Sequence, residues 1–214
     1  MKTWTLGLSF CLALLMAAGV ARAVDVKGAD QIKPEMGIQE LALVMIPQEV
    51  NKEEFDAFVS ELDLYETWGA ANAEKWKSAD TSDQPIKTIF SWDDLWSKSD
   101  IGAAGCLTVL MKLQLAKGMA DSDPAAQVQQ IEQAINMIEG MLAAQQLPPD
   151  QKAQMETQLN YMKSMLEALK KYPASNIEFY KANKEAIDAA LARFDAIAGG
   201  DDQPAEEAPA EPQP

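Results

Sequence analysis

The chain has 214 residues, 33 acidic side chains against 18 basic ones, a formal charge of −15 and no histidine. Without histidine there is no Ser-His-Asp or Cys-His catalysis, no haem His ligation, no Glu-x-x-His di-iron signature, and few zinc or copper sites. Such a charge repels nucleic acid and anionic membrane surfaces, which leaves a cationic partner or plain solubility as its meaning.

Lys2, the apolar run over residues 6–19 and the small-x-small triplet Ala21-Arg22-Ala23 read as a signal peptide, residues 1–23, cleaved after Ala23. The run is too short for a lasting membrane span. Cys11 follows bulky Phe10 where a lipid-accepting cysteine follows a small residue, which argues against lipidation. The mature chain is therefore expected to begin at Val24, to be periplasmic or secreted, and to make no stable membrane insertion. Loss of Lys2 and Arg22 makes it more acidic still. Its remaining cysteine, Cys106, has no partner for an intramolecular disulfide in an oxidising compartment.

Residues 24–198 are expected to form one all-α domain, a bundle of about five main helices. Pro34-Glu35 opens either a short helix closed by Pro47, with Ile38, Leu41 and Met45 on one face, or a buried strand over 41–46; the helix is favoured. Asn51 and Glu54 form a capping box for a long helix whose inner stripe is Phe55, Phe58, Val59, Leu62, Tyr65, Gly69, Ala73 and Trp76. Residues 78–85 are polar and break the pattern, and 86–90 form a short apolar connector. Ser91 caps a helical turn from Trp92 to Trp96. Residues 101–111 carry no charge and include the small residues Gly102, Ala103, Ala104 and Gly105; a run apolar all round belongs at the centre of a bundle. From Lys112 to Met119 the helix continues with a wetter face.

Asp123 and Pro124 start the stretch around which the bundle is organised. Val128, Ile131, Ile135, Ile138 and Leu142 step by threes and fours, as do Met155, Leu159, Met162, Leu166 and Leu169, the spacing of a coiled-coil seam. Between them lies Leu147-Pro148-Pro149-Asp150, which no helix crosses unbroken. Folded back there, the layers match: Leu142 meets Met155, Ile138 meets Leu159, and Val128 meets Leu169. This predicts a central antiparallel helical hairpin. Leu147-Pro148-Pro149-Asp150-Gln151 resembles the Leu-Thr-Pro-x-Gln turn of the Spy/CpxP-type periplasmic chaperones, over five residues and with Pro148 in the Thr position. A helix start after a proline turn accounts for the same letters. Tyr172-Pro173 ends the second arm, and Ser175 with Glu178 makes another capping box for a last helix carrying Ile177, Tyr180, Ile187, Leu191, Phe194 and Ala198. Residues 199–214, rich in proline and acid and without a basic residue, are expected to be a disordered tail.

The candidate ligand site is the tryptophan group Trp68, Trp76, Trp92 and Trp96, close in sequence and flanking Asp93 and Asp94. Indole faces beside carboxylates bind sugars or cations; equally, these indoles fill the core. Met137, Met141, Met155, Met162 and Met165 could ligate Cu(I) but occupy or adjoin seam positions, where methionine simply packs. Cys106 lacks a visible activating cation and reads as a buried free thiol, with an intermolecular disulfide as the alternative. No carboxylates have calcium-loop spacing, and no metal, cofactor or catalytic residue is predicted. The expected function is non-enzymatic: protein–protein interaction or a chaperone-like role in the bacterial envelope. The alternatives are a carrier of a small apolar ligand or lipid, with the tryptophans as its wall, and a carboxylate-based hydrolase, which no motif supports.

Overall fold

The structure is a computed structural model that describes residues 24–144 and 148–198. The expected signal segment, Leu147 of the proline turn, and the acidic tail lie outside the described residues. Among those residues there is no strand: the fold is all-α. A 3-10 turn (Ala29–Gln31) is followed by α1 (Ile38–Met45), α2 (Lys52–Ser60), α3 (Leu62–Ala71), α4 (Ala73–Asp80), α5 (Pro85–Phe90) and α6 (Asp93–Trp96). Then come α7 (Gly102–Ala120), α8 (Pro124–Ala144), α9 (Pro149–Leu169), α10 (Ala174–Ala182) and α11 (Lys184–Ala198). None of the described helices is long and apolar enough to cross a membrane.

The expected long helix from Asn51 to Trp76 is three helices. Asn51 does cap α2, its Oδ1 accepting from the Glu54 amide at 2.9 Å. Glu54 does not complete the box, because its carboxylate turns inward to Lys112. The first break falls at Glu61, whose buried carboxylate is held by residues 99–101. The second falls at Asn72, whose Nδ2 donates to the Trp68 carbonyl one turn back at 2.9 Å and ends α3 there. The breaks shift the helical phase, and Ala73, expected inside, is exposed; Val59, before the first break, is exposed at the edge of the Phe55–Phe58 face. The expected last helix is likewise broken at Asn183, whose Nδ2 donates to the Phe179 carbonyl at 2.9 Å. Its capping box is absent: Ser175 donates instead to Glu49, and the buried neighbour Asn176 ties α10 to the Val50 amide and the Gln48 carbonyl.

Residues 38–45 form the favoured helix, capped by Gly37 rather than opened by Pro34-Glu35, and Ile38 is exposed while Leu41 and Met45 are buried. The connector over 86–90 is helical. Ser91 donates to the Thr88 carbonyl and ends α5 as its C-terminal cap residue; Trp92 occupies the N-terminal cap position of α6.

The main core gathers α2, α3, α7, α10 and α11 around Phe58, Tyr65, Val109, Leu113, Tyr180 and Ile187, each at most 1% exposed. A second cluster joins α1 and α5 to a different stripe of α7, Ala104, Leu107, Met111 and Leu115. Gly69 permits close packing of α3 on α11, since a Cβ there would lie 2.3 Å from Ile197 Cγ2. The small residues at the start of α7 admit the N-terminal segment: a Cβ on Gly105 would sit 3.3 Å from Val26.

A third cluster is confined to α8 and α9. Nine of the ten seam residues belong to it, and the ion pairs Glu139–Lys163 and Glu132–Lys170 span the two helices. The tenth, Leu169, lines a cleft toward the body. These two helices touch the body mainly where α9 meets α1.

Candidate functional site

The four tryptophans come together. Trp92 lies 4.9 Å from Trp68 and 4.6 Å from Trp76, centroid to centroid, and stacks on Trp96. Trp68, Trp76 and Trp92 are buried, and the indoles cover one another's faces. Trp68 Nε1 donates to Asp94 Oδ2 at 2.9 Å, and Lys75 pairs with the same carboxylate while standing 5.1 Å over the Trp68 ring. The Trp68 and Lys75 hydrogen bonds hold the Asp94 carboxyl below the usual carboxylate range. Trp96 Nε1 donates to the Ile89 carbonyl at 2.6 Å, joining α6 to α5. The cluster thus closes the outer end of the core, and Trp92 borders only a surface depression of about 350 Å³.

Two buried polar constructions were not anticipated. In the first, Lys112 and Glu54, 0% and 1% exposed, pair at 3.0 Å. Glu54 Oε1 also accepts the Lys27 amide at 2.9 Å, and Lys112 donates to the Lys27 carbonyl at 2.8 Å. One residue of the N-terminal segment, Lys27, is thereby held at both its backbone polar groups. Lys112 is consequently not part of the wetter face of α7 expected to begin there. Desolvation holds its ammonium below the ordinary lysine value, against the pull of Glu54.

In the second, Glu61 accepts from Tyr65 Oη, Ser99 Oγ and the amides of Asp100 and Ile101. The carboxylate caps α7 through Ser99, which it holds and whose Oγ accepts from Gly102, the first amide of the helix, at 2.8 Å. Cys106 lies next to this group, fully buried, its thiol pushed up to about 12 by desolvation. Burial, Cys106 and Glu61 together raise the Tyr65 phenol as well. The carboxylates of both constructions are each held by several donors. They hold the fold.

The open feature is elsewhere. Between the body and the α8–α9 pair lies a cleft of about 600 Å³. Its floor is one face of α7, with Met111, Leu115, Gly118 and Met119; Ala42 and Ile46 come from the α1 side, Ile131 from α8, Met165 and Leu169 from α9. Three amides, Gln114, Gln127 and Gln130, complete it. Among the described residues, no charged, nucleophilic or titratable side chain lines it, although the chain carries a net charge of −15. A volume near 600 Å³ falls within the roughly 300–1,000 Å³ of small-molecule sites, and an apolar wall with few polar groups is their usual make-up.

None of the four tryptophans lines this cleft. Of the methionines singled out in the sequence, Met165 does, Met141, Met155 and Met162 pack in the α8–α9 cluster, and Met137 is 65% exposed. Met111, Leu115 and Met119, an i, i+4, i+8 stripe on a helix already counted as buried, were the signal for the floor. Among the described residues no group of three acidic or cysteine side chains could hold a metal ion. No family model, no curated protein and no solved structure matches this chain.

Proposed function

We propose that this is an exported binding protein, non-enzymatic, which holds an apolar guest in the cleft between its helical body and an antiparallel hairpin arm formed by α8 and α9. The carrying observation is an uncharged cleft of about 600 Å³ in so acidic a chain. Charged side chains are found mostly at the protein surface; a surface concavity lined without them favours guests that leave water readily. The cleft walls offer no acid, base or nucleophile, which supports binding over chemistry. The leader-like stretch up to Ala23 supports export to the periplasm or beyond. Native mass spectrometry of the chain isolated from its own envelope tests the reading. A bound mass released on unfolding is expected. A ligand-free spectrum in both purified and freshly isolated samples sinks it.

A second reading, a chaperone-like grip on apolar segments of an envelope protein, is favoured by Met137, 65% exposed on the arm. Thioethers adapt to varied partners. If this reading holds, the chain slows aggregation of a model client and Met137→Lys weakens that effect. An unchanged aggregation rate with the native chain removes it.

A further inference from the structure

We infer that the guest of the cleft is a neutral single-chain amphiphile whose head donates a hydrogen bond to the side-chain oxygen of Gln127. The inference rests on the reading of the cleft as the binding site.

Charge decides the kind of head. A carboxylate or phosphate head would approach a chain of net charge −15 and then lose water against a wall with no cation. A cationic head is attracted at long range but finds no carboxylate in the lining to pair with. An uncharged head meets neither penalty. The tail follows from the wall: Met111, Met119 and Met165 are unbranched and adjust to a flexible alkyl chain.

The polarity of the contact is set by a short relay. Ser122 Oγ donates to the Gly118 carbonyl at 2.7 Å, and Gln127 Nε2 donates to Ser122 Oγ at 2.7 Å. Serine has one hydroxyl proton, and the carbonyl takes it, so only a donor can face Ser122 from the other side. The amide of Gln127 is therefore oriented with its nitrogen on Ser122 and its oxygen turned away. Among the described residues, no donor reaches that oxygen. A fixed acceptor on the wall of an apolar cleft selects a donor, a hydroxyl or an amide N–H, over an ester that only accepts.

Gly118 marks the space for the tail. Its carbonyl anchors the relay, and a Cβ built on it would meet nothing within 4 Å. Glycine within a helix costs stability relative to alanine, yet no packing in the body requires one here. A side chain at this position would stand in the cleft.

The test is titration calorimetry of the full chain with four probes bearing twelve-carbon chains, each below its solubility or micelle limit: 1-monolauroylglycerol, methyl laurate, laurate and dodecyltrimethylammonium. Monolauroylglycerol is expected to bind at least about tenfold tighter than each of the others. Gly118→Leu should abolish binding without lowering the melting temperature, and Gln127→Leu should weaken monolauroylglycerol about tenfold while leaving methyl laurate unchanged. If no probe binds, or Gly118→Leu binds as before, the cleft is not the site and the proposed function falls with the inference. If laurate or dodecyltrimethylammonium binds as tightly as monolauroylglycerol, the cleft reading stands and the neutral head is wrong. If Gln127→Leu leaves monolauroylglycerol unaffected, or methyl laurate matches it, the hydrogen-bond assignment is wrong.

Discussion

Replacing Lys112 by methionine keeps the bulk of the side chain and removes its charge. Glu54 would then be a carboxylate at 1% exposure with only the Lys27 amide as partner, and the Lys27 carbonyl would lose its donor. Breaking a buried ion pair from one side costs about 3–5 kcal/mol, and the stranded carbonyl adds about 1 kcal/mol or more. Against a whole-domain stability of roughly 5–15 kcal/mol, a loss of about 4 kcal/mol is severe. In a domain of this size it lowers Tm by roughly 8–16 °C. The double variant Lys112→Met, Glu54→Met removes both charges together. It still strands the two polar groups of Lys27, but the exchange of a buried pair for apolar packing is close to neutral or favourable. The double variant should therefore be more stable than Lys112→Met alone by about 2 kcal/mol, read from urea midpoints at constant m value. A loss of less than about 1 kcal/mol in Lys112→Met, or a double variant that loses the sum of the two single changes, would show that the pair is not coupled in this way.

Three further outcomes are expected. Glu61→Ala leaves the donors of Tyr65, Ser99, Asp100 and Ile101 without their shared acceptor and should cost about 3 kcal/mol, with faster amide exchange in the first turn of α7 than elsewhere; uniform exchange changes would count against a capping role. The Cys106 thiol, pushed up to about 12 by burial, should resist a disulfide reagent in the native state at neutral pH and react on unfolding, so stoichiometric labelling of the folded chain within minutes would contradict its placement. Asp188 accepts from Lys117, Lys184 and Tyr180, and the two lysines hold its carboxyl far below the ordinary range. Its folded value lies below its unfolded one, so its stabilisation is present above about pH 4 and fades as pH falls toward the folded value. Asp188→Asn should flatten the acid limb of stability against pH, and parallel curves for the two proteins would dismiss the effect.

Apolar periodicity made the helices of this chain legible, because burial is what orders most of them. Val128 to Leu142 and Met155 to Leu166 read as facing stripes, and those residues do share one cluster. The breaks were harder to see, since no proline or glycine marks them. Asn72 and Asn183 end their helices by the same device, a side-chain amide donating to the carbonyl four residues back. An asparagine interrupting an apolar period was the available sign. Glu61 and Lys112 carry no sign of that kind. A charged residue inside an apolar stripe is read as solvated by default, and only long-range partners, residues 99–101 and Glu54, reverse that default. The tryptophans were legible as a group because they crowd one stretch of chain. The cleft was not, because it depends on how the α8–α9 pair sits against the body.

Helix α7 carries both the buried lysine and the floor of the cleft. Its charge-free first half implied burial on every side, but different faces meet different surroundings. Val109, Lys112, Leu113 and Ala116, at most 1% exposed, face the main core. Ala104, Leu107, Met111 and Leu115 face α1 and α5, and along this side the helix runs on to Gly118 and Met119 in the cleft. A helix packed on one side and lining a cavity on the other needs apolar residues on both. The rotation of α7 about its axis then determines which residues reach the cleft. A one-residue rotation, about 100° for 3.6 residues per turn, would replace Leu115 and Gly118 on the floor by other side chains. Lys112, bonded to Glu54 and to the Lys27 carbonyl, opposes that rotation because turning would pull an ammonium off two buried acceptors. The buried ion pair, about a quarter turn from the centre of the cleft face, thus holds the helix setting that puts uncharged residues on the cleft floor.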